Sequence, residues 1–95
     1  MITTRQRLLQ VYESAYFDAV YYDILLTQDK TPIKEETRET LTKWRETAYI
    51  KMNVCCSCLS AKDLNNTLRD VRYRAVTKAK EVATCWINSR KYKEN

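Results

Sequence analysis

Hydrophobic residues recur every three or four positions in three stretches of the chain, which is the spacing of one face of an α-helix. The first stretch predicts a helix over about residues 4–27, and Thr3 and Gln6 match a capping box at its amino end. The second predicts a helix over about residues 32–58, with Thr31 as the N-cap and Pro32 at the first helical position. The third predicts a helix over about residues 61–91, followed by a frayed tail at residues 92–95. The apolar positions are Leu8, Val11, Tyr12, Ala15, Ala19, Tyr22 and Leu26, then Leu41, Trp44, Ala48, Met52, Cys55 and Leu59, then Leu64, Leu68, Val71, Ala75, Ala79, Val82 and Trp86.

The start of the third helix has two solutions. Ser60 and Asp63 match a capping box, whereas Asn66 would cap a start one turn later with Asp70 in the first turn. Short connections place neighbouring helices antiparallel to each other. The pattern therefore predicts an all-α fold, an antiparallel three-helix bundle of long helices that forms one domain over residues 1–95.

Two of these helices carry a second set of apolar residues away from the main stripe. A surface helix normally has one apolar face, so a second face predicts burial against another partner. We expect a homo-oligomer, a dimer with twofold symmetry, and the alternative is a broad bundle in which the third helix covers this face. The predicted protein interface consists of Phe17, Tyr21, Ile24, Ile50 and Val54.

Composition argues against most enzyme classes. The chain has no histidine, which is the commonest general base, and no glycine, which phosphate-cradling loops require. Glu13, Asp18 and Asp23 diverge around the first helix, so they form no catalytic pair of carboxylates. We expect a protein that is not an enzyme, has no catalytic residues and needs no cofactor.

Three of the four cysteines lie between Asn53 and Leu59. On a helix, Cys55, Cys56 and Cys58 point in three directions and cannot converge on one tetrahedral zinc ion. Cys85 lies beside Trp86 on the third helix. We expect all four thiols to serve as small buried hydrophobic groups, with no bound metal.

The amino-terminal residues and the hydropathy of the chain indicate the cellular location that we expect for the protein. The amino-terminal residues lack the apolar core of a signal peptide, and no segment approaches the ~20 apolar residues of a membrane span. We therefore expect no association with membranes and a cytoplasmic, reducing location in which the cysteines stay as thiols.

Positive charge is concentrated in the last third of the chain. The net charge is +5, and residues 61–95 carry nine basic and four acidic side chains. Opposite the apolar stripe of the third helix, cations recur with a tyrosine among them, which is typical of backbone binding to nucleic acid. We expect sequence-independent binding to a duplex, with RNA and DNA both possible. The predicted contacts are Lys62, Arg69, Arg72, Tyr73, Arg74, Lys80, Arg90 and Lys91.

Two other interpretations stay open. The basic residues could form only a solvated face, as on most basic helices. The second apolar faces could instead make the protein a small helical protein-binding module, either an inhibitor or an assembly adaptor.

The layout of the first two helices resembles that of the nodavirus suppressors of RNA silencing. The likeness lies in two long antiparallel helices joined by a proline-marked turn, "QDKTP" at residues 28–32. It implies a small viral-type protein that dimerises through apolar faces and lays basic residues along double-stranded RNA. Here the basic helix is the last one and not the middle one, so no residue roles are transferred.

Overall fold

Three long helices form the fold of the residues that the structure describes. The computed structural model describes residues 2–28 and 31–93, apart from the side chains of residues 90–93. Helix α1 spans Thr4–Thr27, α2 spans Glu35–Cys58 and α3 spans Leu68–Lys93, preceded by a π-helical segment at Asp63–Thr67. The predicted all-α fold of three packed helices is confirmed.

Helix α1 lies between the other two helices. It packs against both, whereas α2 and α3 make few contacts with each other over the described residues. Tyr12, in the first half of α1, packs with Cys55 from the end of α2, while Leu25, near the end of α1, packs with Leu41 from the first half of α2. Helix α2 is therefore antiparallel to α1. Ala83, in the second half of α3, packs against the same Leu25, so α3 runs parallel to α1.

The amino end of α1 is capped as predicted. The Gln6 N–H donates to Thr3 Oγ1 at 3.1 Å, and the Thr3 N–H donates to Gln6 Oε1 at 2.9 Å. This reciprocal pair satisfies two backbone N–H groups that have no partner inside the helix.

Helix α2 begins at Glu35, three residues after the predicted start, so Thr31 is not its N-cap and Pro32 is not its first residue. Thr31 is buried, and its backbone N–H and C=O both bond the side-chain amide of Gln28, at 2.9 and 2.7 Å. Because these backbone groups of Thr31 are already bonded to Gln28, the helix does not begin at this point. Ile33 then packs against the cluster around Leu25 before the helix begins.

Ser60 starts the third helical stretch, so the earlier of the two predicted starts is correct. The Asp63 N–H donates to Ser60 Oγ at 3.2 Å. The buried Asp63 carboxylate accepts hydrogen bonds from Ser60 and Thr67 and two from Arg5, at 2.7 and 2.8 Å. The hydrogen bonds from Arg5 are the main reason that the pKa of Asp63 falls to about 2. This cluster ties the start of α1 to the turn after α2.

The π-helical segment changes the direction in which the side chains on either side of it point. The Leu68 N–H donates to the Asp63 carbonyl, five residues earlier, instead of to the fourth residue back. A π-helical turn holds one more residue than an α-helical turn. Residues before the segment are consequently rotated by about 100° relative to an unbroken α-helix. The apolar spacing alone does not predict this rotation.

The buried stripe of α3 is built largely from alanine. Ala75, Ala79 and Ala83 are buried at intervals of four residues, and each interval turns the inward face about 40° past a full revolution. This drift brings Ala83 into the core and leaves Val82 at its edge, contrary to the predicted stripe. Small side chains also let α3 approach α1 closely. Two further predicted core residues, Val11 and Trp44, are exposed in part, and Leu25 is buried.

None of the helices in the described part of the chain is both long and apolar enough to cross a lipid bilayer.

Candidate nucleic-acid interface

Three of the predicted phosphate contacts lie along one exposed side of α3. Arg69, Arg72 and Lys80, here called the α3 cationic row, are all exposed. The side chains of Arg69 and Lys80 make no ion pair or hydrogen bond to any residue that the structure describes. They lie about 16 Å apart along the helix axis and within about 20° of each other around it. Their charges are therefore open to a ligand in solution.

Arg72 is held in place by a buried tyrosine. Its Nε donates to the hydroxyl of Tyr12 at 2.8 Å, and its guanidinium carbon lies 5.9 Å from the centre of the same ring. Burial raises the pKa of Tyr12, and the hydrogen bond to Tyr12 raises the pKa of Arg72. Arg72 thus stays charged with one nitrogen anchored, while its two terminal nitrogens bond no described residue. Such a preoriented fork suits bidentate binding of phosphate.

A surface pocket lies beside this row at the start of α3. It has a volume of about 460 Å³, and Tyr73 forms part of its wall with 75% of its surface exposed. The pocket combines two guanidinium groups, an aromatic ring, an amide and an apolar floor. This Tyr73 pocket is lined by Leu64, Asn65, Arg69, Arg72, Tyr73 and Val76.

Arg74 lies apart from the row. It is exposed but forms an ion pair with Glu13 of α1, with Nη2 at 2.9 Å from Oε1. The hydrogen bond to Glu13 raises the pKa of Arg74. Arg74 follows Arg72 by two positions, so the two side chains leave the helix about 160° apart. Its charge is already balanced by an acidic neighbour, and it does not extend the α3 cationic row.

Lys62 also lies on a different surface from Arg69. It is exposed beside Arg5 and Asp63 in a separate depression at the end of α2. On an unbroken α-helix, Lys62 and Arg69 would share one face, but the π-helical segment between them removes this alignment. The backbone of Arg90 and Lys91 belongs to α3, while their side chains lie outside the described residues.

The predicted protein interface divides into two parts. Tyr21 and Ile24 are half-buried beside the cluster of Leu25 and Ala83, so α3 covers part of this second face of α1. Phe17 is also half-buried, and its ring stacks on that of Tyr21 at 5.8 Å. On α2, by contrast, Ile50 and Val54 are 63% and 57% exposed.

The cysteines do not all serve as core residues. Cys55 is buried and Cys56 half-buried, but Cys58 and Cys85 are exposed, which contradicts the prediction for these two thiols. Cys85 follows the buried Ala83 by two positions and is therefore turned about 200° away from it, toward solvent. Residues 2–28 and 31–93 contain no group of three or more Cys, Asp or Glu side chains that could hold a metal ion.

The acidic residues of α1 are used separately. Asp23 accepts a hydrogen bond from Arg45 at 2.7 Å, and Glu13 pairs with Arg74. Burial raises the pKa of Asp18, an effect that nearby Lys51 opposes. Each carboxylate therefore has a basic neighbour of its own, and these three do not converge.

Tyr12 and Asn65 are polar contributors to the site that the sequence does not predict. The sequence places Tyr12 on the apolar stripe of the first helix. This spacing does not distinguish a tyrosine that only packs in the core from one that also anchors an arginine. Asn65 reaches the Tyr73 pocket because it belongs to the π-helical segment, which the spacing did not reveal. No protein-family model, curated protein or solved structure matches this chain.

Proposed function

We propose that this protein binds the sugar–phosphate backbone of nucleic acid, independently of base sequence and without catalysing a reaction. The observation that carries the proposal is the α3 cationic row: Arg69 and Lys80 are exposed and unpaired among the described residues, and Arg72 is anchored by Tyr12. Charge-assisted hydrogen bonds from such groups to phosphate oxygens are strong and need no base contact.

The distribution of charge supports the same conclusion. Residues 1–60 carry eight basic and eight acidic side chains, whereas residues 61–95 carry nine and four. The attraction for a polyanion is therefore centred on the helix that carries the row. The ~16 Å between Arg69 and Lys80 corresponds to about five nucleotide steps of ~3.4 Å in a duplex. A rigid helix that contacts phosphates over this distance suits shape-based binding of double-stranded RNA.

Charge reversal within the row tests the proposal. We expect the double variant Arg69→Glu/Lys80→Glu to lose binding to a fluorescein-labelled 20-base-pair RNA or DNA duplex in anisotropy titrations at low salt. The matched control is Lys34→Glu/Lys43→Glu, which makes the same change in net charge at two exposed lysines, one at the N-cap of α2 and one within it. Equal losses in the two variants would mean that net charge, and not the α3 cationic row, determines binding.

Salt dependence gives a second measurement of the same contacts. If three cations neutralise three phosphates, log Kobs falls against log[salt] with a slope of about −2.7, so affinity drops about 40-fold between 50 and 200 mM salt. In a variant that keeps only Arg72 of the α3 cationic row, the slope is about −0.9, and affinity falls about 3- to 4-fold over the same range of salt. An affinity for the unmodified protein that does not change with salt would refute the proposal.

We propose a second function for α2, which is self-association through its outer face. Ile50 and Val54 lie one helical turn apart and are more than half exposed, and Lys51 is the only charged residue between Thr47 and Cys58. In a twofold dimer each face meets its own copy, so a charged face repels itself and an uncharged one does not. For a chain of net charge +5, the face of Ile50 and Val54, with only Lys51 charged nearby, is the surface on which a second copy is favoured.

The mass of the protein in solution tests this second proposal. We expect light scattering after gel filtration to give a dimer for the unmodified chain and a monomer for Ile50→Asp/Val54→Asp. The control Ile2→Asp/Val11→Asp changes two partly exposed apolar residues near the start of the chain and should remain dimeric. A monomeric unmodified protein at 100 μM would refute the proposal.

A further inference from the structure

The Tyr73 pocket has a composition that fits one unpaired nucleotide. Tyr73 is 75% exposed, and among the described residues its ring makes no contact with another aromatic ring. An exposed tyrosine ring offers a face on which any base can stack, and stacking of this kind is largely independent of base identity. Leu64 and Val76 are half-buried and supply an apolar floor beside it.

The polar groups of the pocket match the other parts of a nucleotide. Arg69 lies one helical turn before Tyr73 and is free of ion pairs within the described chain, while Arg72 presents two terminal nitrogens that bond no described residue. Both can donate to a phosphate that flanks the stacked base. Asn65 is exposed at the rim, and its amide can both donate to and accept from a base edge.

The fold explains why these groups meet here. Asn65 and Leu64 belong to the π-helical segment, and π-helical turns are frequent at functional sites because they displace side chains from the regular helical order. Without the extra residue in this turn, Leu64 and Asn65 would be rotated by about 100° relative to Arg69 and Tyr73. The segment itself is held by the Asp63 cluster, so the pocket is formed by a stable feature of the chain.

We infer that the Tyr73 pocket binds an unpaired nucleotide, with the base stacked on Tyr73 and the adjacent phosphate held by Arg69 and Arg72. This inference rests on the proposed function and specifies its ligand: a nucleic acid with a single-stranded segment or overhang whose backbone continues along α3 toward Lys80. Because the stacked base must leave its duplex, a blunt-ended duplex contacts the α3 cationic row but places no base on Tyr73.

The test compares Tyr73 variants on two ligands, a 12-nucleotide single strand containing 2-aminopurine and a blunt 20-base-pair duplex. We expect Tyr73→Ala to weaken single-strand binding by about 5- to 150-fold, the range found when a stacking aromatic is replaced by alanine, and to change duplex binding less than threefold. Tyr73→Phe keeps the ring and should preserve both single-strand affinity and quenching of 2-aminopurine fluorescence. The matched control is Tyr49→Ala on α2, a partly exposed tyrosine outside the pocket, which should change neither ligand.

The outcomes separate this inference from the proposed function. Equal effects of Tyr73→Ala on both ligands, or no effect on either, would refute the inference that a nucleotide stacks on Tyr73. Charge reversal at Arg69 and Lys80 would still test binding of the backbone. If charge reversal leaves both ligands bound, the proposed function fails and the inference fails with it. Tyr73→Leu keeps apolar bulk without an aromatic face, so its loss of quenching with unchanged helicity distinguishes lost stacking from lost folding.

Discussion

Replacing Val71 and Val82 separately by alanine tests the packing of α3, because both residues occupy the apolar stripe predicted from the sequence. Val71 is 3% exposed within the core cluster that includes Tyr12, whereas Val82 is 39% exposed at the edge of the bundle. The two substitutions remove the same atoms from the same helix. Any difference between them therefore reports the difference in burial.

The expected magnitudes follow from this burial. Removing two carbons from a fully buried valine costs about 1.6 kcal/mol in transfer free energy, and the remaining cavity raises the total to about 2–3 kcal/mol. The better helix propensity of alanine offsets about 0.5 kcal/mol at either position. The net loss is about 2 kcal/mol for Val71→Ala. At Val82 the transfer loss is about 1 kcal/mol and no closed cavity forms, so the net loss is about 0.5 kcal/mol.

Thermal unfolding followed by circular dichroism at 222 nm measures the difference. For 95 residues the entropy of unfolding is about 0.2 kcal/mol/K, so we expect Tm to fall by about 10 °C for Val71→Ala and by about 2–3 °C for Val82→Ala. Urea unfolding should show equal m-values and the same order of midpoints. Equal losses, or a larger loss at Val82, would refute the placement of Val71 in the core and of Val82 at its edge.

Three further predictions use other parts of the molecule. The pKa of Asp63 is about 2 in the folded chain and 3.8 ordinarily, so its stabilising contribution is present above pH 4 and is lost as the pH falls through 2. In Asp63→Asn, Tm should therefore fall less between pH 4 and pH 2 than it does in the unmodified protein. An equal fall in the two proteins would contradict the role of the Asp63 carboxylate. With Ellman's reagent, Cys58 and Cys85 should react rapidly and Cys55 only on unfolding, and a fast Cys55 would contradict its burial. Tyr12→Phe should lower the free energy of unfolding by about 1 kcal/mol, because one hydrogen bond is lost. It should also weaken oligonucleotide binding about 2- to 10-fold, since Arg72 without its anchor must be immobilised on binding. Unchanged affinity would show that the hydrogen bond to Tyr12 does not contribute to binding.

The sequence predicts the helical elements well where local chemistry determines them. The capping box of Thr3 and Gln6 and the cap at Ser60 depend on residues within one turn, and both are present. The predicted start of α2 at residue 32 is wrong because Gln28 bonds the backbone of Thr31, a contact that no capping pattern describes. Proline at a plausible first position does not by itself start a helix.

The candidate site was less predictable for a different reason. Lys62 and Arg69 share a face only on an unbroken α-helix, and the π-helical segment depends on a carboxylate cluster that includes Arg5, far away in the sequence. Arg74 was assigned to the same surface as Arg69, but pairing with Glu13 depends on how α1 and α3 pack. Periodicity identifies which residues point outward, and only the packing of helices determines which charges are already neutralised.

The central position of α1 has a consequence for the order of folding. The contact between α1 and α2 at Asp23 and Arg45 joins residues 22 positions apart, whereas Arg72 reaches Tyr12 across 60 positions. Contacts close in sequence form first, so we expect a hairpin of α1 and α2 onto which α3 closes last. The hydrogen bond between Arg72 and Tyr12 therefore forms only in the final step. A nucleotide that binds Arg72 in its anchored position would then stabilise the docked state of the last helix by mass action.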